Sequence, residues 1–153
     1  MKTKVLLILL VIVSVLACKK DKLATVPKIK ITNLNTTEVG LNGTLRVTME
    51  FADKEGDVTD SIFVKKIRLN QRVVPTIRDS FRLKMPDFPA NSRGEITLNL
   101  DYQAILSAIT PPTIPGSIPP MKEPDTLIIK FALRDNAKNI SDTVTTAQIA
   151  VIR

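Results

Sequence analysis

The stretch Asp53-Lys54-Glu55-Gly56-Asp57 places three carboxylates and a glycine in five consecutive positions. Oxygen-rich turns of this kind suit calcium, a hard cation that takes about six to eight oxygens and accepts irregular geometry. Asp135, at the end of a later apolar run, can add a ligand, and Asp60 lies nearby in sequence. The spacing is not that of an EF-hand loop, which needs further acidic positions and a terminal Glu. The competing reading is a solvated turn with Gly56 at positive φ and no ion. The candidate metal ligands are Asp53, Glu55, Asp57 and Asp135, and calcium is the one cofactor in question.

Catalytic chemistry has less to work with. The chain contains no histidine, so the commonest general base and transition-metal ligand is missing and proton transfer falls to carboxylates, Lys and Tyr. No Ser stands in a G-x-S-x-G elbow, the five glycines form no phosphate-cradling loop, and no motif selects one carboxylate pair for glycoside hydrolysis. The expectation is a protein that is not an enzyme, and a hydrolase reading would need an exposed carboxylate pair in a deep cleft. Aromatic residues are scarce, five Phe with Tyr102 and no Trp. Modules that stack sugars or bases rely on aromatic faces, so composition weighs against both.

The formal net charge is +7, a balance that suits anionic partners such as phospholipid or lipopolysaccharide head groups. Lys65, Lys66 and Arg68, then Arg72, Arg78, Arg82 and Lys84 form the densest basic region. They sit among apolar residues at strand-like spacing, which reads as solvated strand faces rather than a nucleic-acid patch. No nucleic-acid partner is expected.

The single cysteine, Cys18, stands where a greasy run meets a basic one. It has no second cysteine for an intramolecular disulfide and no histidine to activate it. Before it, Met1-Lys2-Thr3-Lys4 leads into an apolar run from Val5 to Ala17 broken only by Ser14. As a helix that run reaches about 20 Å, short of the roughly 30 Å hydrocarbon core, so it reads as an export signal rather than a span. Val15-Leu16-Ala17-Cys18 resembles the lipobox of bacterial lipoproteins, which is aliphatic, variable, small, then Cys. The resemblance implies a diacylglycerol on the Cys18 sulfur, cleavage just before it and an acylated new amino terminus. Residues 1–17 are then a leader, Cys18 the lipid attachment site and 18–27 a polar tether. Two or three acyl chains anchor a protein stably. The start "CKKDK" is similar to the mature starts of Bacteroidota lipoproteins, in which lysines and acidic residues bias sorting to the cell surface. The implied location is the cell envelope, as an outer-membrane lipoprotein facing the periplasm or the surface.

These groups need a scaffold, and from Lys28 onward the chain alternates with period two. Ile29 and Ile31; Leu45, Val47, Met49 and Phe51; Ile96, Leu98 and Leu100; and Leu127, Ile129, Phe131 and Leu133 each fall on one face of a half-buried strand. Ile62 to Leu69, Val73 to Ile77 and Phe81 to Met85 are less regular candidates, and the stretch from Asp142 to Ile152 predicts a closing strand whose parity shifts near Ala147, as a bulge would cause. Asp101 can cap a short helix that places Ile105, Leu106 and Ile109 on one side and stops before Pro111. The proline-dense "TPPTIPGSIPPMKEPD" predicts a long exposed crossover loop.

About seven antiparallel strands around one core fit an all-β fold, a single β-sandwich over residues 28–153 with one short helix and a Pro-rich loop. "VTMEFADKEGDV" and "FALRDNAKNISDTV" resemble the turn motifs of bacterial immunoglobulin-like and fibronectin type III-like domains. Lys138 replaces the glycine of the second motif, so Asn136 or Asn139 is expected to take the positive φ there. The functional expectation is a membrane-anchored, non-catalytic protein-binding or structural module of the cell envelope, with a protein partner. The alternative is a surface glycan-binding accessory lipoprotein of a nutrient-uptake system.

Overall fold

Alternation of apolar and polar residues fixes which side of each strand can be buried, and the strands with the clearest alternation hold the centre of the protein. The computed structural model describes residues 23–153, and Cys18 and the 1–17 leader lie outside the described residues. In chain order the elements are β1 (Lys28–Leu34), β2 (Glu38–Val39), β3 (Thr44–Ala52), β4 (Ser61–Arg68), β5 (Ser80–Lys84), β6 (Arg93–Asp101), α1 (Tyr102–Ile105), β7 (Asp125–Arg134), β8 (Val144–Thr145) and β9 (Ile149–Val151). One sheet runs β1-β3-β6. The other runs β2-β9-β7-β4-β5, with β8 also paired to β7. Among the described residues no helix is long and apolar enough to cross a membrane.

Leu45, Val47 and Met49 of β3, Ile62 and Val64 of β4, and Leu127, Ile129, Phe131 and Leu133 of β7 form one buried cluster with Ile96 and Leu100 of β6. Both sheets therefore turn their apolar faces to the same core. Each such side chain contributes about 1.5–3 kcal/mol through burial. Phe51 lies opposite Gly94 in the β3–β6 register, and a Cβ on Gly94 would stand 2.6 Å from the Phe51 ring. The glycine leaves the space that the ring fills.

Several expectations are corrected. The described residues form nine strands rather than about seven, and β2 pairs with β9 in parallel. Val73 to Ile77 is no strand. Pro75 lacks a ladder donor, Val73 is 99% exposed, and the segment makes only an isolated bridge from Thr76 to Ala108. The helix is a single turn: Asp101 makes no capping bond and instead accepts a hydrogen bond from Thr44 Oγ1 at 3.3 Å, while Ile109 is exposed. The closing strand is split into β8 and β9 rather than bulged. Where parity shifts, Thr146 donates its N–H to Ile129 O and accepts the Ile129 N–H on Oγ1 at 3.0 Å, so a side chain replaces one rung of the ladder. Lys138 itself takes the positive φ, 73°, with its N–H on Asp135 O at 3.2 Å. The Pro-rich segment folds back on itself through Ile114 N to Met121 O and Glu123 N to Pro112 O. Its tip leaves Ile118 97% exposed.

Candidate functional site

β3 ends at Ala52 and β7 at Arg134, and the loops that follow bring Asp53, Asp57 and Asp135 together. One carboxylate oxygen from each lies within 4.8 Å of the others. Asp53 is fully buried and Asp135 nearly so. Asp53 Oδ2 accepts the N–H groups of Gly56 at 2.7 Å and Asp57 at 3.3 Å, and Asp135 accepts from Asn139 N and Nδ2, both at 2.8 Å. The two loops are tied by Asn136 N donating to Asp57 O and Asn136 Nδ2 to Thr59 Oγ1. Two buried oxygens, Asp53 Oδ1 and Asp57 Oδ1, accept no hydrogen bond. Burial first, then the Asp135 and Asp53 charges, push the Asp57 carboxyl above its ordinary value.

Three crowded carboxylates with two unpartnered buried oxygens are costly without a cation. Their donor set is all oxygen, which fits calcium, with further oxygens left for solvent to supply. Of the four residues singled out from sequence, the fold gathers three. Glu55 points elsewhere, 3.8 Å from Lys54 Nζ on the exposed surface, because the turn at Gly56 directs successive side chains apart. Asp60 is also diverted: a hydrogen bond from Arg134 holds its carboxyl below the ordinary range, and Lys138 Nζ is 3.5 Å away.

Gly56 makes the turn possible. Its φ is +72°, and a Cβ there would meet Asn91 backbone N and C at 2.7 Å. Gly56→Ala should therefore lower the unfolding free energy by about 2–4 kcal/mol, the combined size of left-handed strain and overpacking against immovable backbone. Urea denaturation of the variant measures it.

A second buried charge cluster lies at the other end of β7. Asp125, fully buried, accepts Ser107 N at 3.0 Å, Ala108 N at 3.1 Å and Arg153 Nη2 at 2.8 Å, and Arg68 Nε stands 3.7 Å off. Burial would push this carboxyl up, but the Arg153 and backbone donors hold it below its ordinary value. Lys66 also points inward and donates Nζ to Ala104 O and Leu106 O at 3.0 and 2.5 Å; burial lowers its pKa against the pull of Asp125 and Asp79. These cations hold the irregular backbone after α1 against the sheet. Sequence reasoning placed Lys66 and Arg68 on solvated faces. The overlooked signal is parity, since Ile62, Val64, Lys66 and Arg68 share one face, as do Asp125 with Leu127 and Arg153 with Val151.

Between β5 and β6, which end their respective sheets, a groove of about 730 Å³ is lined by Leu83, Met85, Phe88, Ile96 and Leu98. Phe51 also lines it, its ring centroid 6.1 Å from that of Phe88. Tyr102, the one tyrosine, is buried, so it presents no face for stacking a sugar. Phe63, on the outer side of β4, is covered by the Arg134 guanidinium 5.4 Å from its ring centre.

No family model matches the chain, and no curated protein matches it. Among solved structures the chain is similar to a beta-glucosidase from Listeria innocua in complex with glucose, at 16% identity and a TM-score of 0.37 over 83% of this chain and 16% of that one. The same comparison with the gluconolactone complex gives 14% identity and a TM-score of 0.39 over the same shares. The chain thus spans about one sixth of the length of these enzymes. A likeness of this size carries no argument about activity.

Proposed function

We propose that this chain is an acyl-anchored bacterial outer-membrane lipoprotein whose domain is an immunoglobulin-like β-sandwich acting as a non-catalytic protein-binding module, with calcium bracing its Asp53–Asp57–Asp135 end. The observation that carries the binding role is the apolar groove between the β5 and β6 edges. A concave apolar surface flanked by two strand edges suits an extended segment of a protein partner, because the edges offer backbone hydrogen bonds while Leu83, Phe88 and Leu98 receive alternate side chains. The sandwich reading is supported by two sheets that share one core. The anchor reading rests on Val15-Leu16-Ala17-Cys18.

Two measurements on the full chain in its native envelope test this. Metabolic palmitate labelling should mark the wild type and not Cys18→Ala; an unlabelled wild type overturns the anchor. A benzoylphenylalanine crosslinker at position 88 should trap one defined protein adduct, whereas the same group at position 46, on the outer face of the other sheet, should not. Equal adducts from both positions, or none from position 88, overturn the groove as the binding surface.

A further inference from the structure

The two outer sheet faces differ sharply in charge. On the three-stranded sheet Lys28, Lys30, Arg46 and Arg93 share the outer face with Glu50, Glu95 and Asp101, and Lys30, Glu50 and Glu95 stand in one cross-strand row. On the six-stranded sheet the inward residues Ile62, Val64, Ile129 and Phe131 leave Lys65, Arg82, Lys84, Lys130 and Arg134 on the outer side. Lys65 stands directly opposite Lys130, an arrangement that destabilises a bare sheet. The carboxylates bordering this face include Glu38, on the far edge strand, Asp79, whose Oδ1 accepts the hydroxyl of Ser80 opposite Lys65, and Asp60, already engaged by Arg134 and Lys138. Lys65, Arg82, Lys84 and Lys130 take part in no ion pair among the described residues.

We infer that this outer face is a docking surface for an anionic phospholipid bilayer, with Lys65, Arg82, Lys84 and Lys130 set against its phosphate head groups. Charge complementarity selects an anion, and an extended face with separated cations suits a surface of many phosphates better than a single small ligand. Single-stranded nucleic acid would need stacking platforms, and the aromatic ring on this face, Phe63, is already covered by Arg134. The inference rests on the acyl-anchor reading for proximity: Ala24 O already accepts the Lys54 N–H, so the six residues 18–23 span about 22 Å at most, which keeps the domain close to the head groups. Docking would lay the domain flat on the membrane and leave the β5–β6 groove at its side.

The test uses the chain from Lys19 onward, which keeps both sheets and the whole core but has no leader and no acyl group. It is sedimented with vesicles of one part phosphatidylglycerol to two parts phosphatidylcholine, and with phosphatidylcholine alone. Binding to the anionic vesicles only, weakened by salt and lowered more than about tenfold in Lys65→Glu/Arg82→Glu/Lys130→Glu, is the expected result. Lys28→Glu/Lys30→Glu/Arg46→Glu removes as much charge from the other face and should retain most of the binding. Lys130→Glu alone is a control for folding: it converts the Lys130–Lys65 clash into an ion pair, so the melting temperature should hold or rise while vesicle binding falls. Equal loss in both triple variants, equal binding to both vesicles, or binding of an acidic peptide or oligonucleotide in place of vesicles overturns the inference. Because this chain carries no acyl group, such a failure leaves the Cys18 anchor to its own labelling test.

Discussion

Asp125→Ala should lower the unfolding free energy by about 3–5 kcal/mol, the cost of removing one partner from a buried ion pair. The substitution strips Arg153 of its carboxylate, leaves the Ser107 and Ala108 N–H groups without acceptors and removes the charge beside Arg68. Buried donors left unpaired forfeit their full desolvation cost, so the loss exceeds that of an exposed ion pair several-fold. The pH dependence has a definite sign. The folded-state pKa of Asp125 is depressed, so its contribution is complete above the unfolded value of about 3.9 and is lost as pH falls through the folded value. Wild type should therefore lose stability steeply below the ordinary carboxylate range, and Asp125→Ala should lack that component. Urea midpoints measured across acid pH decide it, and a variant within 1 kcal/mol of wild type, or an unchanged acid limb, would refute the role assigned to this carboxylate.

Calcium should raise the melting temperature by about 10 °C when its concentration reaches a hundred times its dissociation constant, since binding to the folded state alone then contributes about 2.7 kcal/mol. Without the ion, Asp57 behaves oppositely to Asp125. Its folded pKa is raised, so the folded chain binds that proton more tightly than the unfolded one, and stability falls as pH rises from about 3.9 through the raised value. Bound calcium should abolish this trend, because the cation replaces the proton as the counter-charge. Asp53→Asn removes one of three repelling carboxylates, and the ion-free variant should melt no lower than wild type yet fail to respond to calcium. A wild-type melting temperature indifferent to both millimolar calcium and chelator would eliminate the site.

The strands that build the core were legible because their inward faces are almost wholly apolar: β3 and β6 follow the alternation residue by residue, β7 does so from Leu127 onward, and β1 does so up to the register shift after Ile31. What escaped was governed by tertiary context. Lys66 and Arg68 occupy inward positions that composition assigns to solvent; the carbonyls of residues 104 and 106 make the first tenable, and the carbonyls of residues 70 and 72 with the Asp125 carboxylate the second. Val73 to Ile77 has a strand's composition, yet Pro75 interrupts the ladder and Val73 finds no surface to cover it. In the carboxylate cluster, Asp53, Asp57 and the distant Asp135 were identifiable from two turn motifs far apart in sequence. Glu55 was not separable from them, because side-chain direction beside a positive-φ glycine depends on backbone geometry that composition does not encode.

The parallel pairing of β2 with β9 bears on how the chain reaches its native state. Glu38 and Val39 lie between β1 and β3 in sequence, yet their ladder partners are Ala150 and Val151, and β4 must likewise wait for β7. Loop-closure entropy is therefore lost before most pairings can form, which places folding in the slow, millisecond-to-second regime of high contact order. A chain delivered amino terminus first could pair β1, β3 and β6 and the β4–β5 hairpin early, but the second edge of β4 would stay open until β7 arrived, and the sheet would be incomplete until β9. The interval before that closure is when this protein would most need a holding chaperone.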